Sequence, residues 1–398
     1  METKTNKICV YAICKNEAKF VEKWYNSMKE ADCVVVLDTG STDNTVELLK
    51  EVGVDKVEVK VINPWRFDDA RNESLKLVPE DCNILVCTDL DEVFDPGWAQ
   101  VLRDRWDDNL YERAEYTYVW SHHSSGKADV IFAYNKIHNR NWRWISPVHE
   151  FLTRTGEASH FQYDRSKALD CFKEIKLHHW PDATKSRSSY LPLIELRAKE
   201  YPEDRVSMLY LAREYWFYKR YQDSIDTIKQ VIDDHEHFDK TLTAYLYFVM
   251  GSCYQGLSNE ATDEENKQGY ILLAEKSFSA GIDYNPEFLE NYTKLGEIYT
   301  VYKYYEEAIK IVELGIKNAK RQYSWVENGS NWTITPLSIL GAASYFLGLQ
   351  NNDVALKRNA IAYFAKALTY EPTNVAMKKN LSEGVKHFSM NDLKNGLN

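Results

Sequence analysis

The sequence lacks a long apolar run. None of its 398 residues lies in a stretch that approaches the roughly 20 apolar residues of a membrane-spanning helix. The first ten residues, METKTNKICV, also lack the apolar core of a secretory signal. We therefore expect a cytoplasmic protein without a membrane span. Its 44% hydrophobic content is typical of a globular protein, and its length suffices for two or three domains.

Paired cysteine motifs and an excess of basic residues are absent as well. The seven cysteines are odd in number and form no Cys-x-x-Cys. Since most of them lie in apolar, strand-like runs, we predict buried free thiols in a reducing compartment. The formal net charge of −11 disfavours a general electrostatic grip on nucleic acid, although it leaves room for a local basic patch.

Several motifs of known enzyme classes are missing. No G-x-G-x-x-G follows the first predicted strand, and there is neither a Walker loop nor a G-x-S-x-G elbow. A dinucleotide-dependent dehydrogenase and a P-loop kinase are therefore disfavoured. Nucleotidyltransferases that act on sugar phosphates usually carry a glycine-rich loop after the first strand. The corresponding stretch here, ICKNEAKF at 13–20, contains no glycine.

The first 95 residues alternate between strand-like and helix-like patterns. Residues 41–53, for example, begin with capping residues and end at Gly53, as a helix does. Apolar runs predict strands at 7–13, 33–39, 56–62 and 83–89. This order predicts a mainly parallel sheet with helices on both faces. Ligands of such sheets bind beyond the carboxyl ends of the strands.

Polar residues follow these strands where a ligand is expected. Asp38 precedes a glycine-containing turn, and its carboxylate can accept from a base N–H or a ribose hydroxyl. Arg71, on a predicted helix, offers a cation to a diphosphate or base. Asp89 and Asp91 offer the oxygen ligands that Mg²⁺ and Mn²⁺ prefer. Each of these residues also has an ordinary structural interpretation, because an Asp-x-Asp is most often a solvated turn.

The motifs together resemble a known family. Residues 7–180 resemble a family 2 glycosyltransferase of the GT-A type, with an α/β, Rossmann-like, mainly parallel sheet. The matching stretches are KNE at 15–17, LDTGSTDNT at 37–45, FDDARNESL at 67–75, TDLDEVF at 88–94, VHE at 148–150 and HHW at 178–180. The family often has D-A-D where Leu90 fills the middle position here. We expect Leu90 to be tolerated because that side chain points away.

The resemblance implies a nucleotide-sugar donor, with a UDP-sugar expected, and Mn²⁺ or Mg²⁺ as cofactor. It implies that Asp91 ligates the metal and takes part in catalysis. His178 is preferred over His179 as the histidine ligand by a narrow margin. The residues expected to bind the nucleotide sugar are Ile13, Asn16, Glu17, Asp38, Gly40, Arg71, Asp89 and Leu90.

Transfer with inversion to a hydroxyl needs a general base, for which Glu150 in SPVHEFL is our candidate. Its structural alternative is a hydrogen-bond acceptor for the adjacent loop. Asp95 and Glu92 are the next candidates for the base. A thiol acceptor would make smaller demands on a base. Three tryptophans could stack on sugar or base, or be part of the core: Trp65, Trp142 and Trp144.

The second half of the chain contains a helical repeat. A small residue and an aromatic residue three positions later recur at Ala212, Gly251, Gly296 and Ala342. Ala274 and Ala308, in the predicted second helices, are 34 positions apart, which is the tetratricopeptide period. We therefore predict a tetratricopeptide-like superhelix. Together the two halves are similar to the sublancin-type S-glycosyltransferases.

We accordingly expect a GT-A domain at 1–183 and a helical repeat domain at 184–398. The repeats would recruit the acceptor, with a peptide or protein preferred over a glycan or lipid-linked glycan. Aromatic residues such as Tyr210 would line the groove, and the repeats could form a homodimer. No nucleic-acid partner is expected. The alternative from another class is a catalytically inactive scaffold for protein interaction.

Overall fold

A computed structural model describes residues 6–123, 126–155, 165–182, 190–233 and 238–386. Contacts divide the chain into two compact units. The first comprises residues 1–121 and 131–207, and the second comprises residues 122–130 and 208–398. The sequence boundary between residues 183 and 184 stays a prediction; the contacts group residues 190–207 with the first unit.

The first unit is built on a sheet with helices packed against it. Its strands are β1 Ile8–Cys14, β2 Cys33–Asp38, β3 Lys56–Val59, β4 Ile84–Thr88, β5 Glu92–Phe94, β6 Arg113–Val119, β7 Ile131–His138, β8 Trp142–Ile145, β9 Phe151–Arg154 and β10 Ala168–His179. Its helices are α1 Val21–Met28, α2 Thr45–Val52, α3 Phe67–Leu75, α4 Trp98–Arg105 and α5 Tyr190–Glu200. The next helix, α6 Arg205–Phe217, continues into the second unit.

The main sheet has the strand order β3-β2-β1-β4-β7-β6-β10-β5. The first four of these strands are parallel, and β7 runs antiparallel to both β4 and β6. β6 and β10 are again parallel to each other. The carboxyl ends of β1, β2, β4, β6 and β10 therefore lie at one edge of the sheet. The predicted mainly parallel α/β sheet is confirmed.

The central strand β1 is buried along its whole length. Its alternate residues enter two cores, one containing Ile8 and Val10 and the other containing Cys9 and Tyr11. Continuous apolar sequence is what a strand covered on both faces requires. α2 covers the sheet through Leu49 and ends at Gly53, whose φ of 100° places it in the left-handed region that favours glycine.

Three residues connect β4 to β5 along the carboxyl edge of this sheet. After β4, the stretch from Asp89 to Asp91 leads to β5, which pairs antiparallel with β10. In that pairing His179 lies opposite Glu92, and the backbone N–H of Trp180 donates to the carbonyl of Asp91 at 2.7 Å. Asp89 therefore lies just after the end of β4, whereas Asp91 lies just before the start of β5 and next to the end of β10.

The second unit consists of paired helices. After α6 they are α7 Tyr221–Lys229, α8 Lys240–Glu260, α9 Glu264–Tyr284, α10 Leu289–Val301, α11 Tyr305–Asn318, α12 Ile334–Gln350, α13 Val354–Tyr370 and α14 Val375–Lys386. Each helix from α7 to α14 packs against the next. The predicted all-α, tetratricopeptide-like half is confirmed.

Small residues allow the helices of a pair to approach closely. A Cβ added to Gly251 of α8 would lie 2.6 Å from the ring of Phe278 on α9. In the fourth pair the same contact is made by Gly341, whose added Cβ would collide with the ring of Phe364. The sequence pattern placed this contact one residue later, at Ala342, whose side chain is instead partly exposed. An alignment of the repeats by sequence alone cannot tell which of two neighbouring small residues faces the partner helix.

One segment of the second unit lies on its own first helices. Residues 319–333 join α11 to α12, and Trp325 within them stacks on Tyr210 of α6 with ring centroids 5.1 Å apart. Trp325 also contacts the ring of Tyr245 at 6.1 Å and the guanidinium of Arg213 at 5.0 Å. Tyr210, expected to line an open groove, therefore packs against the chain itself.

Among the described helices, none has both the length and the apolar character that crossing a bilayer requires. All seven cysteines are free thiols; six are buried and Cys33 is partly exposed.

Candidate functional site

Arg71 forms the centre of a charge cluster at the carboxyl edge of the sheet. It lies on α3, is 5% exposed, and its Nη2 donates to both carboxylate oxygens of Asp89 at 3.0 and 3.2 Å. Its Nε donates to Oε1 of Glu150. The guanidinium also lies 5.2 Å from the ring centroid of Trp144. Arg71 therefore links two carboxylates that are 61 residues apart in the sequence, and its orientation is fixed by Trp144.

Lys136 on β7 extends this cluster. Its Nζ donates to the two carboxylate oxygens of Glu92 at 2.8 and 3.1 Å and to Asp89 at 3.2 Å. Glu92 is 1% exposed and also accepts from the hydroxyl of Tyr118 at 2.7 Å. The cluster thus runs Glu150–Arg71–Asp89–Lys136–Glu92. With three carboxylates and two cations, it carries one net negative charge when all five groups are ionised.

These contacts shift the pKa values of the cluster. Burial opposes the charge of Asp89, but Arg71 and Lys136 outweigh burial and hold the pKa of that carboxyl well below its usual range. Burial raises the pKa of the Glu92 carboxyl, against the pull of Lys136. The nearby carboxylates raise the pKa of Arg71 and of Lys136 despite burial. Asp89 and both cations therefore remain charged across the physiological range.

Asp91 and His179 face each other beside this cluster. Nε2 of His179 lies 3.4 Å from a carboxylate oxygen of Asp91. The other ring nitrogen, Nδ1, lies 3.1 Å from the backbone carbonyl of Trp120. Because a carbonyl only accepts, Nδ1 carries the proton, and in the neutral ring the lone pair of Nε2 points toward Asp91. Asp91 raises the pKa of His179 against the opposing effect of burial.

His178, the histidine preferred from the sequence, points elsewhere. Its Nε2 lies 3.2 Å from Asp95, whose side chain is 54% exposed. Successive residues of a strand point to opposite faces, so only one of the two histidines can turn toward Asp91. The structure gives that position to His179, and metal ligation by either residue stays a prediction.

The expected base, Glu150, follows a strained backbone segment. Ser146 and His149 have φ values of 88° and 48°, which residues other than glycine rarely adopt. Arg197 of α5 holds this segment, because its Nη1 donates to the hydroxyl of Ser146 and the carbonyl of His149, each at 2.9 Å. Arg197 in turn pairs with Asp204 at 2.5 Å. Glu150 is therefore positioned in two ways: Arg71 contacts its side chain, and Arg197 holds the backbone segment that precedes it.

The residues expected around the nucleotide are mostly engaged with the protein itself. Asp38 is fully buried and accepts from the backbone N–H groups of Gly40 and Ser41 at 3.0 and 2.8 Å. Gly40 has a φ of 108°, and a Cβ there would lie 3.2 Å from Val61. Asp38 shapes the turn after β2, and its contact with a nucleotide stays a prediction.

Asn16 joins the loops that follow β1 and β2. Its backbone N–H donates to the hydroxyl of Ser41 at 2.8 Å, and its side-chain oxygen accepts from the N–H of Thr42 at 2.7 Å. The neighbouring Glu17 donates its N–H to Thr45 at 2.8 Å. The loops expected to receive the base are thus joined to each other by the protein's own hydrogen bonds.

Some predicted contacts are restricted by burial. The side chains of Ile13 and Leu90 are 8% and 2% exposed, and Leu90 lies in the core as expected for a side chain that points away from the site. Trp142 and Trp144 are also buried, so they present no open face for stacking, whereas Trp65 is partly exposed. Any contact from Ile13 or Leu90 to a ligand would therefore involve mainly the backbone.

Sequence reasoning missed Lys136, Tyr118, Trp120 and Arg197. The sequence did contain a signal for Lys136. In the strand-like stretch VIFAYNKIH, Lys136 is on the same face as Phe132 and Tyr134, where a buried residue is expected. Buried lysines are rare unless paired, which itself suggests a carboxylate nearby. Arg197 carried no comparable signal, since arginine is ordinary on a helix.

Within the described ranges, no group of three or more His, Cys, Asp or Glu side chains is placed to hold a metal ion. Asp91 and His179 nevertheless supply one carboxylate oxygen and one imidazole nitrogen side by side. Mg²⁺ and related ions are commonly held by one or two protein ligands together with substrate phosphates and water. The residues present therefore fit a cation shared with a phosphate-bearing ligand.

Comparison with known proteins connects this site to a family. Residues 9–161 match the model of glycosyl transferase family 2. Over 65 residues the chain is 46% identical to an uncharacterized glycosyltransferase of Rickettsia bellii (strain RML369-C). That match covers 16% of this chain and about a fifth of the length of the curated relative, 21%.

Among solved structures, the chain is similar to a thermophilic TPR protein of Thermus thermophilus. The two are 19% identical with a TM-score of 0.38, over 49% of this chain and 89% of that one. It is also similar to yeast Tom70, with 16% identity and a TM-score of 0.37, over 54% of this chain and 38% of that one.

The sheet order, the motifs at its carboxyl edge and the family match agree on the first unit of the molecule. Residues 9–161 are therefore similar to the glycosyl transferase family 2 domain.

Proposed function

We propose that this protein is a metal-dependent, inverting glycosyltransferase that moves a sugar from a nucleotide sugar, a UDP-sugar in the first instance, to an acceptor. The observation that carries the proposal is the placement of Asp91 against Nε2 of His179, 3.4 Å away, at the edge of a family 2 domain. The adjoining cluster with one net negative charge favours a cation at this edge.

In this mechanism Asp91 and His179 would hold the cation, which would supply Lewis-acid stabilisation of the charge on the departing nucleoside diphosphate. Arg71 and Lys136 keep Asp89 ionised and fixed, so that Asp89 can accept from a ribose hydroxyl or from water bound to the ion. Leu90, anchored in the core, holds the two aspartates apart, which suits two separate roles.

We assign the general base to Glu150. Arg71 holds its Oε1, and we assign proton acceptance from the acceptor to Oε2. An acceptor hydroxyl that loses its proton there would attack the anomeric carbon from the face opposite the diphosphate, which inverts the configuration. A thiol acceptor would depend less on Glu150, because thiolate forms readily near neutral pH.

We propose that the helical unit recruits the acceptor, with a peptide or protein preferred and a glycan or lipid-linked glycan as the alternative. Paired-helix repeats commonly bind other chains, which supports this assignment. Trp325 covers Tyr210 and Tyr245, so the proposed contact surface excludes those two rings. An inactive scaffold is disfavoured by the pair Asp89 and Asp91, since holding these two like charges together has a cost that a non-catalytic fold need not meet.

Calorimetry with UDP in the presence and absence of Mn²⁺ tests the proposal, together with the release of UDP from a panel of UDP-sugars. We expect UDP to bind only with Mn²⁺, and Asp91→Ala to abolish both this binding and turnover. Asp95→Ala is the matched variant, because Asp95 pairs with His178 as Asp91 pairs with His179. Loss of Mn²⁺-dependent binding in Asp95→Ala alone would move the metal to His178. Binding by neither protein nor variant, with or without Mn²⁺, would support the scaffold.

A further inference from the structure

Trp120 is an open aromatic surface beside Asp91 and His179. It follows β6 directly, and 39% of its surface is exposed. Its ring stacks on that of His179, with centroids 4.5 Å apart and planes inclined by 24°. Tyr118 adds a third ring, 6.0 Å from Trp120. The indole is therefore held in one orientation at the site, while part of it remains available for contact.

The order of strands shows which part of a ligand would meet this ring. Asp38 is the last residue of β2, and Trp120 follows β6, four strand positions further along the edge. Because neighbouring strands are about 4.8 Å apart, the two ends are separated by roughly 19 Å along the sheet. Asp91 and His179 lie toward the Trp120 end. A ligand with its base near β1 and β2 and its diphosphate at Asp91 would therefore extend its sugar toward Trp120.

We propose that Trp120 stacks on the transferred pyranose of the donor and so contributes to its selection; this inference rests on the glycosyltransferase function proposed above. The C–H groups on one face of a pyranose are electropositive, and the face of an indole is electronegative. Stacking needs no hydrogen bond from the indole, so it selects for a sugar with a continuous C–H face. UDP without a sugar gains nothing from this contact.

The test compares the affinities of UDP and UDP-sugar, measured by calorimetry with Mn²⁺. The probes are UDP, UDP-glucose, UDP-galactose and UDP-N-acetylglucosamine, and the sugar that binds most tightly relative to UDP is used for the variants. Trp120→Ala should weaken binding of that UDP-sugar roughly threefold to tenfold and leave UDP unchanged. The carbonyl that orients His179 belongs to the backbone and persists in this variant.

Two further variants separate stacking from structure. Trp120→Phe should retain most of the sugar-dependent gain, whereas Trp120→Leu, which keeps apolar volume without a ring, should lose it. Tyr304→Ala removes a ring that is 58% exposed in the helical unit and should change neither affinity.

The inference would be overturned if Trp120→Ala and Trp120→Leu both left the affinity for the UDP-sugar unchanged. It would also be overturned if Trp120→Ala lowered the affinities for UDP and UDP-sugar equally. A wild-type protein that binds no UDP-sugar more tightly than UDP would overturn it as well. Wild-type protein that fails to bind UDP with Mn²⁺ would instead contradict the proposed function itself.

Discussion

At the scale of single residues, Lys136 is the group on which the charge cluster depends. It is the lysine that contacts both Asp89 and Glu92, and its side chain is only 5% exposed. Removing one partner of a buried ion pair leaves an uncompensated charge, which typically costs about 3 to 5 kcal/mol. Lys136 is therefore more important for stability than surface lysines such as Lys60, which pairs with Glu73.

We predict that Lys136→Met lowers the free energy of unfolding by about 3 to 5 kcal/mol at neutral pH, because Glu92 then lies buried without a cation. The double variant Lys136→Met/Glu92→Gln should recover much of this loss, since no charge is left unpaired. Urea denaturation of the single and double variants measures both effects. Additive losses in the double variant would show that Lys136 does not act through Glu92.

Glu290 of α10 carries a second prediction at this scale. It is 1% exposed, and its Oε1 accepts from the N–H of Asn328 at 2.8 Å. Burial raises the pKa of this carboxyl to about 7 from an ordinary value of 4.5. The folded protein therefore holds a proton that the unfolded chain releases, and stability falls as the pH rises from about 4.5 to about 7.

We expect this loss to approach about 3 kcal/mol above pH 7, because each unit of pKa difference is worth about 1.4 kcal/mol. Glu290→Gln has no proton to lose, so the helical unit of this variant should lack that part of the pH dependence. The measurement is the difference in the free energy of unfolding between wild type and variant across pH 4 to 8. A constant difference across this range would contradict the prediction.

At the scale of elements, α5 supports the segment that carries Glu150. Arg197 is fully buried and holds the strained segment from Ser146 to His149. Backbone conformations of this kind persist only where surrounding contacts determine them. The sequence predicted a helical domain from residue 184 but gave no sign that its first helix belongs with the sheet, because the contact joins residues 51 positions apart.

Arg197→Met should therefore lower the free energy of unfolding by about 3 kcal/mol or more, since Asp204 loses its cation and the strained segment loses its donors. The matched control is Arg105→Met, which breaks an exposed pair with Glu174 and should cost less than about 1 kcal/mol. Chemical denaturation compares the two variants. Equal losses would mean that the contact of Arg197 is no stronger than a surface ion pair.

The strands and repeats were predictable for a common reason. Apolar runs such as 33–39 and the 34-residue period are local patterns, and burial imposes them directly on the sequence. The partners of the charged groups were harder to predict from the sequence, because Arg71, Lys136 and Glu150 are brought into one cluster only when the sheet forms. Choosing His179 over His178 likewise required the register between β5 and β10.

At the scale of the whole molecule, the two compact units predict two unfolding transitions. A ligand stabilises only the unit that binds it, by about 2.7 kcal/mol at a hundred times its dissociation constant. At that ligand concentration UDP with Mn²⁺ should therefore raise one Tm by roughly 5 to 11 °C and leave the other unchanged.

Scanning calorimetry measures both transitions. In Asp91→Ala both transitions should remain, but UDP with Mn²⁺ should no longer raise the Tm of either one. A ligand that raises both transition temperatures equally would show that the units unfold as one. That result would oppose the assignment of UDP binding to the sheet unit alone.

The three residues that cross from β4 to β5 have a consequence for how this chain can vary. Leu90 is buried in the core, so the length of this three-residue span sets how far apart Asp89 and Asp91 lie. It therefore also sets the distance between Arg71 and Lys136, which contact Asp89, and His179, which contacts Asp91. Replacing Leu90 by another apolar residue keeps that distance, whereas adding or removing a single residue would turn one aspartate inward and the leucine outward. Variation at this point is therefore restricted in residue number more strictly than in side-chain identity.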